Sequence, residues 1–295
     1  MDASITKTSK FGIWALSPPE RPSSTTRLNP KISPLAFFEC LQSMDFEAAQ
    51  RSSAIERKES TQRRQASDTT LYYGEIPFHT LEQILEQITA IHEEGYHNNV
   101  YADIDDIDIN GCFVDLGSGA GRPVFAAACL HPFRSCIGIE IMSSLYASSL
   151  VTLGEYHKKL DSEADLHVLS DIREGGGSSD SDGSAMDYSS GEAGSHRPTS
   201  EVQFFHGSIL DIDSECASST ESVFDWTKAD VVLANSTCYK QDMVDQLSRL
   251  GRRMRRGAHF VSFSYQLDSA FFELVLSDRL CMSWGDADVF YHRRK

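Results

Sequence analysis

An α/β fold with a doubly wound, mostly parallel sheet is predicted by three features of this sequence. A short apolar strand ends in an acid and a glycine loop, strand and helix signals alternate after it, and the crossovers are long enough to hold helices. Ahead of that pattern, residues 1–65 are rich in Ser, Pro and Thr and are expected to be flexible. The apolar patch Leu35-Ala-Phe-Phe-Glu-Cys-Leu41 is a candidate docking helix within them. One folded domain is expected over 66–295. Leu81, Ile84, Leu85, Ile88 and Ile91 recur at helical spacing and predict a helix from Phe78. Cys112-Phe-Val-Asp115 reads as the first strand and Val124 to Leu130 as the helix it feeds. Ser135-Cys-Ile-Gly-Ile-Glu-Ile141 reads as the second strand and Ser143 to Leu160 as an amphipathic helix. Residues 161–200 have too little apolar content to bury anything and are expected to be a disordered, acidic, Ser/Gly-rich insertion. Strands then follow at Val202 to His206, Ala229 to Ala234 and His259 to Ser264, with a helix from Gln241 to Met254.

Ligands of such sheets bind beyond the carboxyl ends of the strands, and chemistry-bearing residues fall there. The first strand ends in Asp115-Leu-Gly117-Ser118-Gly119-Ala-Gly121-Arg122. Three closely spaced glycines let the backbone approach a nucleotide-like ligand where a Cβ would clash. A G-x-G-x-x-G dinucleotide loop needs its third glycine at position 122, which is Arg122, so a pyrophosphate is not indicated. Glu140 closes the second strand, placed to accept hydrogen bonds from both ribose hydroxyls of an adenosine. After the third strand, Ile209 offers a packing face for adenine, and Ser208 or Asp211 an acceptor for its amino group. The fourth strand ends in Asn235-Ser-Thr-Cys-Tyr239, a polar and aromatic cluster straight after a buried run. That cluster lacks the pattern used on planar nucleobase amines, and an aliphatic amine or another nucleophile suits it better.

The formal net charge is −16, from 43 acidic and 27 basic residues, which argues against a polyanion engaging the molecule as a whole. Basic residues nevertheless cluster at Arg51, Arg57, Lys58, Arg63 and Arg64, at Arg249, Arg252, Arg253, Arg255 and Arg256, and at Arg293, Arg294 and Lys295. They are either solvated faces or a joint contact surface for an acidic partner. The seven cysteines are scattered without a C-x-x-C pair, so no metal site and no disulfide framework is expected. No apolar run is long enough to span a bilayer and no signal peptide is evident, so a nuclear or cytoplasmic protein without a membrane partner is expected.

The acid-x-G-x-G-x-G loop resembles the first motif of class I S-adenosylmethionine (SAM) methyltransferases. With its companions, the chain resembles the disruptor-of-telomeric-silencing family of non-SET histone H3 lysine methyltransferases. Tyr73-Gly-Glu75 followed by Phe78 is similar to the family's Y-G-E-x-x-F, and Phe113-Val-Asp-Leu-Gly-Ser-Gly-Ala-Gly121 to its glycine loop. Gly138-Ile-Glu140 is similar to its ribose-binding segment, and Asn235 to the first Asn of its V-N-N-F-A-F. Ser283-Trp284, with Tyr291 seven residues after the Trp, resembles a family segment whose aromatics wall a lysine channel. The family often has Gln at Arg122, Thr at Ile76, Asp-Phe at Ser208-Ile209, and Phe at Thr237 and Tyr239. Arg122 either pairs with a surface acid or reaches the cofactor carboxylate.

The resemblance implies a seven-stranded Rossmann-like sheet, SAM as cofactor and no metal. It also implies a nuclear enzyme that methylates a lysine in the globular core of histone H3, with histone H3 or the nucleosome as partner. The alternative is a class I methyltransferase acting on a non-histone protein or a small molecule. Tyr73, Glu75, Asp115, Gly117, Ser118, Gly119, Gly121, Arg122, Glu140, Ser208, Ile209 and Asn235 are then expected at the cofactor. Tyr239, Trp284 and Tyr291 are expected to wall the channel, with Asn235 orienting the amine.

Overall fold

The structure, a computed structural model, describes residues 34–39, 41, 46–64, 74–97, 107–174, 200–212 and 224–295. Tyr73 and residues 175–199 of the expected insertion lie outside them. Seven strands make one sheet: β1 (Cys112–Leu116), β2 (Ser135–Glu140), β3 (Glu201–His206), β4 (Val231–Ala234), β5 (His259–Phe263), β6 (Phe272–Met282) and β7 (Gly285–Arg294). Their order is β3-β2-β1-β4-β5-β7-β6. The first five pair in parallel, while β7 runs antiparallel to both β5 and β6. The order reverses between β1 and β4, the switch point at which open α/β sheets bind ligands.

The central strands are apolar on both faces because helices cover both. Phe113, Val231, Leu233 and Val261 join a core with α3 (Phe78–His97) and α4 (Arg122–Leu130) on one face. Val114, Leu116, Val232 and Phe260 join a second core with α6 (Gln241–Gly251) on the other. Helix α4 starts at a left-handed Gly121 with Pro123 in its first turn, where a missing N–H costs nothing.

Helix α1 (Pro34–Glu39) falls on the candidate docking helix, and the 19-residue α2 (Phe46–Arg64) follows it within the segment expected to be flexible. The Phe38 ring of α1 packs at a tilt against Phe78, and Ala49 and Ser53 of α2 are buried. Helix α5 (Ser143–Glu174) also continues beyond Leu160 into the expected insertion. Ser200, at its far boundary, is buried and donates to the Phe133 carbonyl at 2.7 Å.

Candidate active site

The strand ends of β1, β2, β3 and β4 surround a cavity of about 480 Å³. Of the β1–α4 loop Gly117 lines it, while Asp115, Ser118, Gly119 and Gly121 stand outside the lining; Gly117, Gly119 and Gly121 have φ of +82°, +57° and +89°. That left-handed backbone strains any residue with a Cβ. Gly117 and Ser118 donate their amides to the Ile139 carbonyl at 2.9 and 3.0 Å, stitching the loop to the end of β2.

Glu140 extends the same stitching with its side chain. One carboxylate oxygen accepts from the Gly119 amide at 2.8 Å and the other from the Met142 amide at 2.7 Å. The acid expected to take ribose hydroxyls thus also holds the glycine loop and the β2–α5 turn together. Each oxygen keeps a further lone pair, and Glu140 lines the cavity.

Asp115 lies opposite Gly138 in the β1–β2 register, on the sheet face shared with Glu140. It is 1% exposed, and its carboxyl is pushed up to about 8 by burial and by the charge of Glu140. One Asp115 oxygen and the Ser118 hydroxyl are buried without a hydrogen-bond partner among the described residues. A cationic ligand relieves such a site, and SAM carries a sulfonium and an ammonium. Glu140 and Gly117 on the cavity wall, with the buried acid Asp115 near the end of the neighbouring strand, therefore fit it.

This charge balance has a measurable consequence. Native Asp115 holds its proton up to about pH 8, whereas the unfolded chain releases it near 3.8. Its contribution to stability is therefore present below about pH 4 and is lost as pH rises toward 8. Melting temperatures of the ligand-free protein should fall across that window, and less steeply in Asp115→Asn. A ligand cation favours the carboxylate, so SAM affinity should tighten by up to about tenfold per pH unit below 8 and level off above it. Calorimetry across pH 6–9 should show this in the wild type and a flatter profile in Asp115→Asn. Superimposable profiles would remove Asp115 from the ligand's surroundings.

The adenosine wall follows β3. Ile209 is buried and lines the cavity beside Gly207, Ser208 and Leu210. The Ser208 hydroxyl accepts from the Leu210 amide at 3.2 Å, so it shapes the turn. Asp211 is exposed and is not part of the wall. Trp226, which sequence reasoning missed, is fully buried and donates its indole N–H to the Ile209 carbonyl at 2.8 Å. The available signal was that a buried Trp must find an acceptor.

Asn235, also in the lining, donates its amide to the Gly74 carbonyl at 3.3 Å and accepts from the Thr237 hydroxyl at 3.0 Å. The Ser236 hydroxyl ties the same turn to β5 through the Phe263 carbonyl at 2.6 Å and amide at 2.9 Å. Trp284, at the tip of the β6–β7 hairpin, is 38% exposed and lines the mouth. A Cβ on Gly74 would stand 2.6 Å from its ring, so only glycine lets the chain pass there. Glu75 and Ser283 clamp this approach, with the Glu75 amide 3.1 Å from the Ser283 hydroxyl and the Ser283 amide 3.3 Å from the Glu75 carbonyl. The Glu75 carboxylate pairs with Arg122 at 2.8 Å, and the guanidinium lies over the Phe38 ring. The acid that Arg122 pairs with is thus a buried one and not the surface acid expected. Neither Glu75 nor Arg122 lines the cavity, although Gly74 does.

Two aromatics stand elsewhere than expected. Tyr239 lines the cavity over the glycine loop, its hydroxyl donating to the Leu116 carbonyl at 3.1 Å, and burial pushes its phenol far up. It belongs beside the glycine loop and not to a channel wall beside Trp284. Tyr291 is 2% exposed and packs in the core with Ala287 and Val289, outside the cavity lining. Alternation along β7 explains this, since exposed Asp286 and Asp288 intervene. Its hydroxyl is buried without a hydrogen-bond partner among the described residues. Tyr291→Phe should therefore melt no lower than the wild type, while Tyr291→Ala should cost about 3–5 kcal/mol in denaturant unfolding. A turnover defect in the phenylalanine variant at unchanged stability would return Tyr291 to the channel.

Among the described residues no group of three His, Cys, Asp or Glu could hold a metal, and no helix is long and apolar enough to cross a membrane. No curated protein matches the chain. Similar solved structures include the rRNA methyltransferase AviRa of Streptomyces viridochromogenes, 12% identical with a TM-score of 0.42 over 75% of this chain and 86% of that one. The B. subtilis m1A22 tRNA methyltransferase TrmK is 10% identical, with a TM-score of 0.37 over 62% of this chain and 60% of that one. Aeropyrum pernix fibrillarin with bound SAM is 8% identical, with a TM-score of 0.35 over 62% of this chain and 66% of that one. The chain spans 60% of the TrmK chain and 44% of Thermus thermophilus TrmN. The fold assignment rests on the strand order and the antiparallel β7. Residues 51–161 match the family described as "Histone methylation protein DOT1", a stretch that runs from α2 through the glycine loop and Glu140 into α5. By its sheet the chain has the class I SAM-dependent methyltransferase fold, and over residues 51–161 it is similar to the DOT1 histone methylation family.

Proposed function

We propose that this protein is a SAM-dependent protein lysine N-methyltransferase acting on a histone, with a lysine in the globular core of histone H3 as the finer reading. The observation that carries the proposal is one cavity with two kinds of lining. Glu140 and Gly117 line it together with Asn235, Thr237 and Trp284. Bound SAM supplies an electrophilic methyl group on its sulfonium. Glu140 holds the ribose, Ile209 packs on the adenine, and Asp115 faces the positive charge. Asn235 and Thr237 offer oxygens to an incoming amine. A lysine with an ordinary pKa of about 10.4 is nearly all protonated at neutral pH, and the Trp284 mouth favours its neutral form by excluding water. Water takes the proton before attack. The family match concerns histone methylation and supports a histone as acceptor and the nucleus as the place of action.

A second reading, methylation of another protein or a small molecule, draws on where the cations stand. Arg252–Arg256 meet the end of β7, where Arg294 donates to the Arg252 carbonyl at 2.9 Å. Trp284 lies at the other end of β6, which is 11 residues long, or roughly 35 Å away at about 3.3 Å per residue. These cations do not rim the mouth. The family match also ends before Asn235 and Trp284. Incubation with labelled SAM and, separately, nucleosomes, free histones and a whole-cell extract decides between the readings. Label on a histone is expected, and label confined to another protein or a small molecule overturns it.

A further inference from the structure

We infer that Glu56 is a positioning residue for the cofactor, acting through the β2–α5 turn; the inference rests on the SAM-binding reading above. The first amides of a helix lack intrahelical partners, and α5 has no capping side chain of its own at Met142. Glu56, on α2, supplies the cap from outside. Its two carboxylate oxygens accept from the Ser143 and Ser144 amides, each at 2.9 Å. Glu140 takes the Met142 amide immediately before them. Three consecutive N–H groups are thus shared between two carboxylates, one lining the cavity and one standing on α2.

Helix α2 also packs against residues that line the same cavity. Ala49 packs with Ala120 of the glycine loop and with Met142 and Leu145, both of which line the cavity. His206 holds the turn from the β3 side, with Nε2 donating to the Ile141 carbonyl at 3.1 Å and the ring stacked on Tyr146. Among the α2 side chains described, Ala49 and Ser53 are buried and Ile55 is 60% exposed. The Glu56 clasp is a direct polar tie between α2 and the β2–α5 turn. It fixes the Met142–Ser144 backbone on which the second Glu140 oxygen depends.

The test uses the full chain and SAM, with Glu56→Ala and Glu56→Gln. Loss of an N-terminal cap should speed SAM release, followed through intrinsic tryptophan fluorescence, by about tenfold in the alanine variant. The glutamine variant keeps one acceptor and should fall between. With acceptor and SAM saturating, turnover should be unchanged, so that the KM for SAM rises alone. Hydrogen exchange at the Ser143 and Ser144 amides should quicken while β1 stays protected, which reports on the clasp even without ligand. Wild-type release rates and exchange in Glu56→Ala would overturn the inference while leaving SAM binding intact. A parallel drop in turnover and melting temperature would make Glu56 merely structural. A wild-type protein that does not bind SAM would remove the cofactor reading and this inference together.

Discussion

Glu140→Ala should weaken SAM binding at least about 100-fold while leaving a folded protein. The substitution removes the ribose acceptor and also leaves the Gly119 and Met142 amides without their carboxylate. Losing a charge-assisted hydrogen bond costs about 1.5–3 kcal/mol, and more than one is lost here. Glu140→Gln keeps the size of the side chain but can accept at only one of the two positions, so its affinity should fall between. Gly119→Val should match the alanine variant, because a β-branched residue is strained at φ of +57° and its side chain stands where the ligand must approach. Calorimetry with circular dichroism as the folding control checks all three. Folded Glu140→Ala and Gly119→Val proteins that bind SAM as tightly as the wild type would show that the site is elsewhere.

The second large effect falls on transfer. Asn235→Ala should lower turnover by about 100-fold with SAM affinity within a few fold, because an interaction made in the transition state acts on the barrier and not on cofactor binding. The amide is held at both ends, by the Gly74 carbonyl and the Thr237 hydroxyl, so its orientation is fixed before an amine arrives. Thr237→Val releases one end and should give a smaller loss of the same kind. Turnover on the labelled acceptor, measured beside SAM calorimetry, separates the possibilities. Parallel loss of SAM binding would move Asn235 into the cofactor pocket, and unchanged turnover would remove it from the mechanism.

The glycine loop and the place of Glu140 were legible in the sequence, since they are written in backbone requirements. Positive φ at Gly117, Gly119 and Gly121 demands glycine, and Glu140 is the acid at the end of an otherwise apolar strand. Helix α2 was not legible, because its buried positions are Ala49 and Ser53, too small and too polar to print an apolar stripe. Tyr239 and Tyr291 show a different limit. An aromatic residue advertises burial but not direction, and the direction came from neighbours. The alternation Asp286, Ala287, Asp288, Val289 put Tyr291 on the core side, a pattern that period-two reading of the strand could have found. Trp226 was hidden because its partner is a backbone carbonyl, which no residue identity reveals.

The clamp between Glu75 and Ser283 joins positions 208 residues apart, and that between Thr80 and Cys281 positions 201 apart. Such distant closures are slow and come late in folding. During synthesis, β1, β2, β3 and the glycine loop emerge well before the hairpin, and β7 must then enter between β5 and β6. The nascent protein therefore gains the glycine loop and Glu140 before it gains Trp284 at the mouth of the cavity.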